Sequence, residues 1–376
     1  MFKLAISQLK FDYRRSILTA SGIAAVLATM LVLQGFRDGL DRQLRDVAMD
    51  RGADLIVTQT GIRNIVGARS VIPQQSRARV ESVEGVRAAH PMTALPLIFE
   101  QGGRKSPIFL TITDSVGGPD PILRGRGTAS EGEVVVDGAL ARMYGLSLGD
   151  DLELVGHPFR IVGITKPTAV LWTPFVFSNY DALIEFYFES DLGADLSAFP
   201  LVSLLLVRLE PGARVEMVRQ AIEVVDPEID VFTPAELAAN DAALGRTMLG
   251  AVLEVLIGVA YATGLLVLGL FMFTTVEGRR RDLGVLKAIG FPNRTLVVSI
   301  VCETAILVVF AVPLGLGLAS LVAGAINTAV PLYRVIPTLP VPVLHAVAAC
   351  GLFTLAGAVA PLRFIGRLEP GEVFRA

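Results

Sequence analysis

The chain has 376 residues, of which 52% are hydrophobic and only 18% charged, and its mean hydropathy is +0.59. A composition this apolar excludes a soluble globular protein and indicates a polytopic membrane protein. The net charge of −3 hides an uneven distribution, because basic residues cluster beside the apolar runs while acidic residues concentrate between the first two runs. This distribution gives no support to nucleic-acid binding.

The chain opens with a basic segment followed by an uncharged run. Residues 1–15 carry four basic side chains among apolar ones, which favours a cytoplasmic amphipathic helix on the bilayer surface, with an ordinary basic flank as the alternative. Residues 16–36 contain no charge and are long enough to span a bilayer. Because the run exceeds a signal-peptide core and no A-x-A site follows it, we expect an uncleaved transmembrane helix 1.

Residues 37–245 have a mixed composition and are numerous enough to bury a core of their own. Charges at nearly every third position of residues 37–51 predict that helix 1 continues out of the membrane as a stalk. Two similar strand, helix, strand segments predict two α+β halves, with a β-rich lobe around residues 117–195 inserted between them. The individual elements predicted are strands at 54–58, 94–99, 108–113, 133–137, 152–155, 159–164, 202–209 and 229–232 and helices at 75–83, 138–144 and 215–225.

Three further apolar runs predict transmembrane helices 2 to 4 at residues 246–276, 295–325 and 341–362. A short loop at residues 326–340 separates the last two. The predicted fold is a membrane α-helical protein with four transmembrane helices, arranged one plus three, and a large α+β extracytoplasmic domain between helices 1 and 2. Glu303 is an intramembrane polar residue that needs a partner or a path to water, and a proton-coupling role is the less favoured alternative.

Basic residues in the short segments predict the orientation of the chain. Four lie in residues 1–15, five in the loop at 277–294 and three in the tail at 363–376, against one in the loop at 326–340. Because basic short segments remain in the cytoplasm, both termini and the 277–294 loop are predicted to be cytoplasmic. The predicted location is the inner (plasma) membrane, with the 37–245 domain on the periplasmic side.

The 277–294 loop has the pattern of a short amphipathic helix. Its basic side chains and its apolar stripe are Arg279, Arg280, Arg281 and Lys287, and Leu283, Leu286 and Ile289. Gly290 is suited to end this helix in the left-handed conformation, and Pro292 is suited to the first turn of the next helix. Such a helix, linked rigidly to two membrane helices, would transmit movement to a soluble partner, and a loop bound to lipid headgroups is the alternative.

The segment Arg280-Arg-Asp-Leu-Gly-Val-Leu-Lys-Ala-Ile-Gly290 resembles the loop motif of the FtsX/MacB-type permease subunits of ABC transporters, which lies between their second and third membrane helices. The stretch Gly132-Glu-Val-Val-Val-Asp-Gly-Ala-Leu-Ala-Arg-Met-Tyr-Gly-Leu-Ser-Leu-Gly-Asp150 is similar to the extracytoplasmic core of that family. The N-terminal Leu31-Val-Leu-Gln-Gly-Phe-Arg-Asp-Gly39 is most similar to its DevC branch. The chain departs from the family pattern at Phe291, often a small residue, and at Pro313, often a glycine.

The resemblance implies a division of labour between this chain and partner proteins. A cytoplasmic ATPase would bind ATP and Mg²⁺ and grip the 279–290 helix, so that this chain itself has no cofactor. The family also implies a homodimer of permeases in the membrane lipids, a periplasmic adaptor (membrane fusion) protein and, in some systems, an outer-membrane channel. The coupling residues carried over are Arg279, Arg280, Arg281, Asp282, Leu283, Gly284, Leu286, Lys287, Ile289 and Gly290.

The sequence gives no sign of catalysis by this chain. Gly103-Arg-Lys-Ser106 lacks the spacing of a nucleotide-binding P-loop. The spacing of His90, His157 and His345 fits neither a metal site nor a catalytic triad, so structural roles are predicted. Both cysteines lie inside apolar runs and are expected to pack there. We therefore predict that the chain is not an enzyme and has no metal site.

Gly315, Ala319 and Ala323, spaced by four, form a smooth helix face on which another helix can pack closely, either within the chain or in a dimer. The leading functional hypothesis is the permease subunit of an ABC-type export system. The alternative is a non-transporting FtsX-like transducer that activates an extracytoplasmic enzyme such as a cell-wall hydrolase. A membrane receptor without an ATPase is the third hypothesis, and the sequence does not identify a transported substrate.

Overall fold

The computed structural model describes residues 13–66, 69–73, 75–114, 116–119, 121–128, 130, 132–183, 201–278 and 280–357. The predicted tail at residues 363–376 lies outside the described residues, as does all but the end of the predicted helix at residues 1–15. The chain divides into a membrane unit, which comprises residues up to 38, residues 250–326 and residues from 335 onward, and a polar unit of residues 39–249 and 327–334.

The described helices are α1 (Tyr13–Met49), α2 (Gln75–Glu81), α3 (Gly138–Tyr144), α4 (Val215–Val225), α5 (Pro234–Gly245), α6 (Ala251–Glu277), α7 (Arg280–Ala288), α8 (Asn293–Ala329) and α9 (Pro340–Gly357). One π-helical turn, Arg246–Gly250, joins α5 to α6. The described strands are β1 (Leu55–Gln59), β2 (Ile72–Pro73), β3 (Val86–Gln101), β4 (Arg104–Thr113), β5 (Ile122–Gly125), β6 (Glu133–Val136), β7 (Asp151–Leu154), β8 (His157–Thr165), β9 (Phe175–Asn179), β10 (Leu201–Val202), β11 (Leu204–Leu209) and β12 (Ile229–Phe232).

The membrane unit is built from apolar helices. Within the described part of the chain, three helical stretches are long and apolar enough to cross a membrane, Ser16–Met49, Pro234–Thr274 and Asn293–Ala329. The fourth predicted span, residues 341–362, coincides with the shorter apolar helix α9 as far as Gly357, after which the chain is not described. Buried side chains of α1, α6, α8 and α9 share one apolar cluster, and they include Leu27, Ala260, Ala311 and Cys350.

Helix α1 is a single element of 37 residues, which corresponds to a length of about 55 Å. It does not end at residue 36, where the predicted span stops, because the charged residues that follow retain the helical pattern. The predicted continuation of helix 1 beyond residue 36 is therefore confirmed, and its exit from the membrane there stays a prediction. The polar unit begins within this helix, at Gly39.

Four strands of the polar unit form one half of its main sheet, in the order β12, β1, β11, β3, and each neighbouring pair is antiparallel. Side chains alternate across β1, so that Leu55 and Val57 pack with α2 and α4 while Ile56 packs with Leu237 of α5 on the opposite face. The two strand, helix, strand segments predicted as separate α+β halves, residues 72–99 and 202–232, therefore share one sheet, because β3 of the first segment pairs with β11 of the second.

The predicted β-rich lobe continues the same sheet. Strand β4 pairs with β3 and, in parallel, with β9, with Phe109 opposite Phe175. The order then continues through β6 and β8 to β5, and β7 pairs with β8. The prediction of a separate inserted lobe is wrong in this respect, because the β4 and β9 pairing joins both halves into one ten-stranded sheet.

Asp137 explains the motif that was matched to the family's extracytoplasmic core. Its buried carboxylate caps α3 by accepting hydrogen bonds from the backbone N–H groups of Ala139 and Leu140, and it also accepts from Thr168. Burial raises the pKa of this carboxyl group, and these hydrogen bonds oppose the rise. Gly145 ends α3 in the left-handed conformation with φ of 69°.

Candidate functional site

The candidate coupling helix is α7, which lies between membrane helices α6 and α8. Two hydrogen bonds of 3.1 Å close the C-terminus of α7, one from the Phe291 N–H to the Leu286 carbonyl and one from the Gly290 N–H to the Lys287 carbonyl. This pairing is a Schellman motif, and it requires the positive φ of +100° that Gly290 adopts. The predicted glycine cap of the helix is confirmed.

Helix α8 starts directly after this cap. The N–H of Thr295 donates to the carbonyl of Pro292 at 2.9 Å, so Pro292 stands at the start of the first turn of α8, as predicted. The link between the two helices is hydrogen-bonded at both ends and short.

One face of α7 packs against both neighbouring membrane helices. Leu283 is buried in a cluster with Met272 of α6 and with Leu296 and Ile300 of α8, and Leu286 packs at its edge. Burial of one leucine side chain contributes about 2 kcal/mol. These contacts hold α7 against the ends of the two helices.

The opposite face of α7 and the cap that follows it expose apolar side chains. Val285 is 41% exposed, Ile289 71% and Phe291 43%. The prediction that Ile289 shares a stripe with Leu283 and Leu286 is wrong. Side chains three residues apart on an α-helix differ in direction by about 60°, so the direction of Ile289 differs from that of Leu283 by about 120° and Ile289 lies on the outer face. We call Val285, Ile289 and Phe291 the exposed patch of α7.

The charged residues of the predicted coupling set are described only in part. Arg281 is exposed and Lys287 is half-buried, while Gly284 faces the interior. Arg279 and the side chains of Arg280 and Asp282 lie outside what the structure describes. The described part of the site is thus a buried face at Leu283, a glycine cap at Gly290 and the exposed patch.

The smooth face of α8 packs within the chain. A Cβ atom on Gly315 would lie 2.6 Å from Cδ2 of Leu27 and 3.1 Å from the carbonyl oxygen of Ala24, both on α1. Ala319 and Ala323 are buried on the same face. Of the two alternatives for this face, the structure therefore supports packing within the chain. Glu303, on the same helix, is also buried, at 5% exposure.

A second set of contacts, which we call the stalk contacts, joins the polar end of α1 to the rest of the polar unit. Two carboxylates on α1 and that of Asp50, the residue after its end, each accept a 2.7 Å contact from a distant cation: Asp41 from Arg246, Asp46 from Arg334 and Asp50 from Lys166. Sequence analysis missed these pairs. The charge period of residues 37–51 predicted the helix but not its partners.

Arg51 is the buried member of the stalk contacts. Its Nε donates to the Val47 carbonyl at 2.9 Å and its Nη1 donates to the Gly117 carbonyl at 3.1 Å. The guanidinium also lies 5.3 Å from the ring centre of Phe175 and 5.8 Å from that of Phe177. Burial lowers its pKa to about 10, so the group is still charged at neutral pH.

The described residues contain no group of three or more His, Cys, Asp or Glu side chains that could hold a metal ion. The predicted structural histidines occupy different environments. His90 lies 3.4 Å from the carboxylate of Asp114, and His157 is buried with its ring edge-to-face against Phe159. His345 is exposed on α9.

The chain combines apolar helices that can span a membrane with a large α+β domain inserted after the first of these helices. This arrangement defines a multi-pass membrane protein of the permease class. Residues 16–225 match the family of the MacB-like periplasmic core domain, and residues 254–370 match the FtsX-like permease C-terminal family. The chain therefore belongs to the FtsX/MacB family of ABC transporter permeases, as the loop motif indicated. A permease of this kind works with a partner ATPase. Its assignment to the DevC branch stays a prediction.

Two relatives that match the whole chain are named as ABC transporter permeases. An uncharacterized ABC transporter permease of Mycobacterium tuberculosis is 23% identical over 378 residues, which cover 100% of this chain and 99% of that protein. One of Mycobacterium bovis is 25% identical over 377 residues, with 100% and 99% covered. The periplasmic region of MacB from Actinobacillus actinomycetemcomitans aligns with a TM-score of 0.37 and 11% identity, over 50% of this chain and 94% of that one.

Proposed function

We propose that this chain is the permease subunit of an ABC-type export system and transmits ATP-driven motion from a cytoplasmic ATPase to its extracytoplasmic domain. The observation that carries the proposal is the exposed patch of α7. Apolar side chains surrounded by polar ones on a protein surface mark a site of protein association. Here they stand on a helix in a short loop with five basic residues, the composition of a cytoplasmic segment.

The construction of α7 suits it to receive force. Its buried face, centred on Leu283, rests on both α6 and α8, and its glycine cap leads directly into α8. A partner that moves the exposed patch therefore moves two membrane helices together. Helix α6 leads through the π-turn to α5, and α1 continues without interruption into the polar unit, which provides two helical routes across the membrane.

The chemistry of hydrolysis belongs to the partner. ATP and Mg²⁺ bind the ATPase, and this chain acts as a mechanical subunit and not as an enzyme. The orientation that follows from the basic loops has both termini in the cytoplasm and the polar unit on the outer side of the inner membrane. A homodimer, a periplasmic adaptor and an outer-membrane channel complete the export machine, which takes up its substrate on the outer side.

The proposal is tested on the exposed patch. In Val285→Asp with Ile289→Asp, the apolar contact is replaced by two carboxylates while the buried face stays intact, and we expect the ATPase to be lost on affinity purification in mild detergent. Val224→Asp is the control, since Val224 is an exposed helical valine of the polar unit, 79% exposed on α4. Undiminished ATPase binding and stimulation in the double variant would overturn the proposal.

Purification of the unaltered chain distinguishes export from signalling. Mass spectrometry of the bound subunits is expected to identify an ATPase together with an adaptor protein. Recovery of a cell-wall hydrolase in place of the adaptor would favour a transducer. Recovery of no ATPase would favour a receptor.

A further inference from the structure

The chain between β8 and β9 makes a tight turn with an unusual backbone. Val170 and Thr173 pair through two hydrogen bonds of 2.9 and 3.0 Å, with Leu171 and Trp172 between them. Both central residues have positive φ, 45° for Leu171 and 66° for Trp172. This is the signature of a type I′ turn, in which Asn and Gly are the usual residues.

Large side chains in this conformation are strained. In the left-handed region the Cβ atom of a non-glycine residue lies too close to the following carbonyl oxygen. The turn persists because neighbouring residues hold it, since Val170 is fully buried and Leu171 packs at the edge of a cluster that contains Leu40 and Leu44 of α1. Trp172, the only tryptophan of the chain, is left 41% exposed at the tip. Strain of this kind points to a function for the outward side chain.

The side chain of Gln43 links the start of this turn to the loop that follows α8. Its Nε2 donates to the carbonyl of Ala169, the residue before the turn, at 2.8 Å and to the carbonyl of Leu332 at 3.0 Å. Leu332 lies three residues beyond the end of membrane helix α8, in the short loop that leads to α9. Gln43 itself follows the last residue of the uncharged run, Phe36, by about 10 Å along α1.

Both anchors of the turn therefore follow a predicted membrane span by about seven residues along the chain. A tryptophan has an apolar ring and one polar N–H, so its preferred place in membrane proteins is the headgroup region. We propose that the Leu171-Trp172 turn is a lipid contact and that Trp172 inserts into the headgroup region of the adjacent leaflet. The occupant of this surface is the lipid bilayer, and the turn tethers the polar unit to it.

The single tryptophan allows a direct test on the full-length chain without mutation. The protein is reconstituted in phosphatidylcholine nanodiscs, either with ordinary lipid or with lipid brominated near the top of the acyl chains, and tryptophan emission is recorded. We expect brominated lipid to lower the emission by about half and soluble acrylamide to quench it weakly, as for a side chain in the interface.

Two variants calibrate the measurement. Trp172→Phe gives the background, and Trp172→Phe with Leu266→Trp gives the signal of a tryptophan on the exposed surface of membrane helix α6, where Leu266 is 73% exposed. Emission from Trp172 that brominated lipid leaves unchanged would overturn the proposal. Strong acrylamide quenching would then indicate a surface open to water, and weak quenching would indicate a surface covered by protein.

Discussion

The carboxylate of Asp46 accepts a 2.7 Å hydrogen bond from the guanidinium Nη1 of Arg334, across 288 residues of sequence. The pair connects the stalk part of α1 to the loop between α8 and α9 inside the polar unit. Both side chains are about 40% exposed, at 40% for Asp46 and 43% for Arg334. An ion pair this exposed contributes at most about 1 kcal/mol, so its importance lies in which segments it joins.

Reversing one charge of this pair should weaken the polar unit, and reversing both should restore it. Asp46→Arg places two guanidinium groups together, and we expect a loss of about 1 kcal/mol at low ionic strength. Adding Arg334→Asp should recover most of that loss. The measurement is thermal unfolding followed by circular dichroism in detergent at low and high salt. Equal unfolding of the single and the double variant would contradict a direct pairing.

Asp241 on α5 should make stability depend on pH. Its buried carboxylate accepts hydrogen bonds from the N–H groups of Ile65 and Val66 at 3.0 and 3.2 Å, yet burial raises its pKa from 3.8 to about 6. The folded state therefore binds the Asp241 proton more tightly than the unfolded state does. The stabilisation of the fold by this proton is complete below pH 3.8 and is lost as the pH rises through about 6. Across this range the free energy of unfolding changes by roughly 3 kcal/mol at most.

The variant Asp241→Asn isolates this effect. The amide oxygen can accept both backbone hydrogen bonds, since both reach the same carboxylate oxygen, but it carries no charge to bury. We expect the variant to unfold at a higher temperature than the natural chain at pH 8 and at nearly the same temperature at pH 4. A temperature difference that does not change with pH would show that Asp241 does not titrate in this range.

Arg51 should resist replacement by lysine. A single ammonium group cannot reach the Val47 and Gly117 carbonyls together while it faces two phenylalanine rings, so we expect Arg51→Lys to cost about 2 kcal/mol. The control is Arg45→Lys on α1, where a 42% exposed side chain pairs with Asp41. That change should cost less than about 0.5 kcal/mol. Similar losses from both variants would refute the special role of the buried guanidinium.

Two glycines of α8 should differ sharply in their tolerance of a side chain. Valine at position 315 would press on Leu27 and on the backbone of Ala24, whereas a Cβ atom at position 317 has no atom within 4 Å. We therefore expect Gly315→Val to lower the yield of folded, monodisperse protein several-fold. Gly317→Val should leave the yield nearly unchanged. The readout is size-exclusion chromatography in detergent, and equal yields would contradict close packing of α8 on α1.

Local signals were sufficient for many elements of the fold. The bounds of α3, α4 and β12 agree with the sequence prediction, because a periodic pattern and a turn residue mark each end. Helix α5 was missed although Thr233 and Glu236 form a capping box with a proline at its start, a signal that sequence reasoning could have used. Strand β9 was missed because its partners, β4 and β6, are distant in the chain.

The two candidate sites, α7 and the stalk contacts, also differ in how far local sequence predicts them. Helix α7 and its glycine cap were predicted because they depend on a dozen consecutive residues, and only the direction of Ile289 was wrong. The stalk contacts were not predicted, because Asp41 and Asp46 find partners 205 and 288 residues away. Complementary charges alone do not select one partner among 33 basic residues.

The unbroken helix α1 also fixes a rotational phase among the stalk contacts. Asp41 and Asp46 face their partners together because no turn or hinge separates them. One residue inserted between them would rotate Asp46 relative to Asp41 by about 100°, so that only one of the two ion pairs could keep its geometry. Seven inserted residues would return the phase to within about 20° but would shift Asp46 by about 10 Å along the axis, so the length of helix between these two positions is fixed as well.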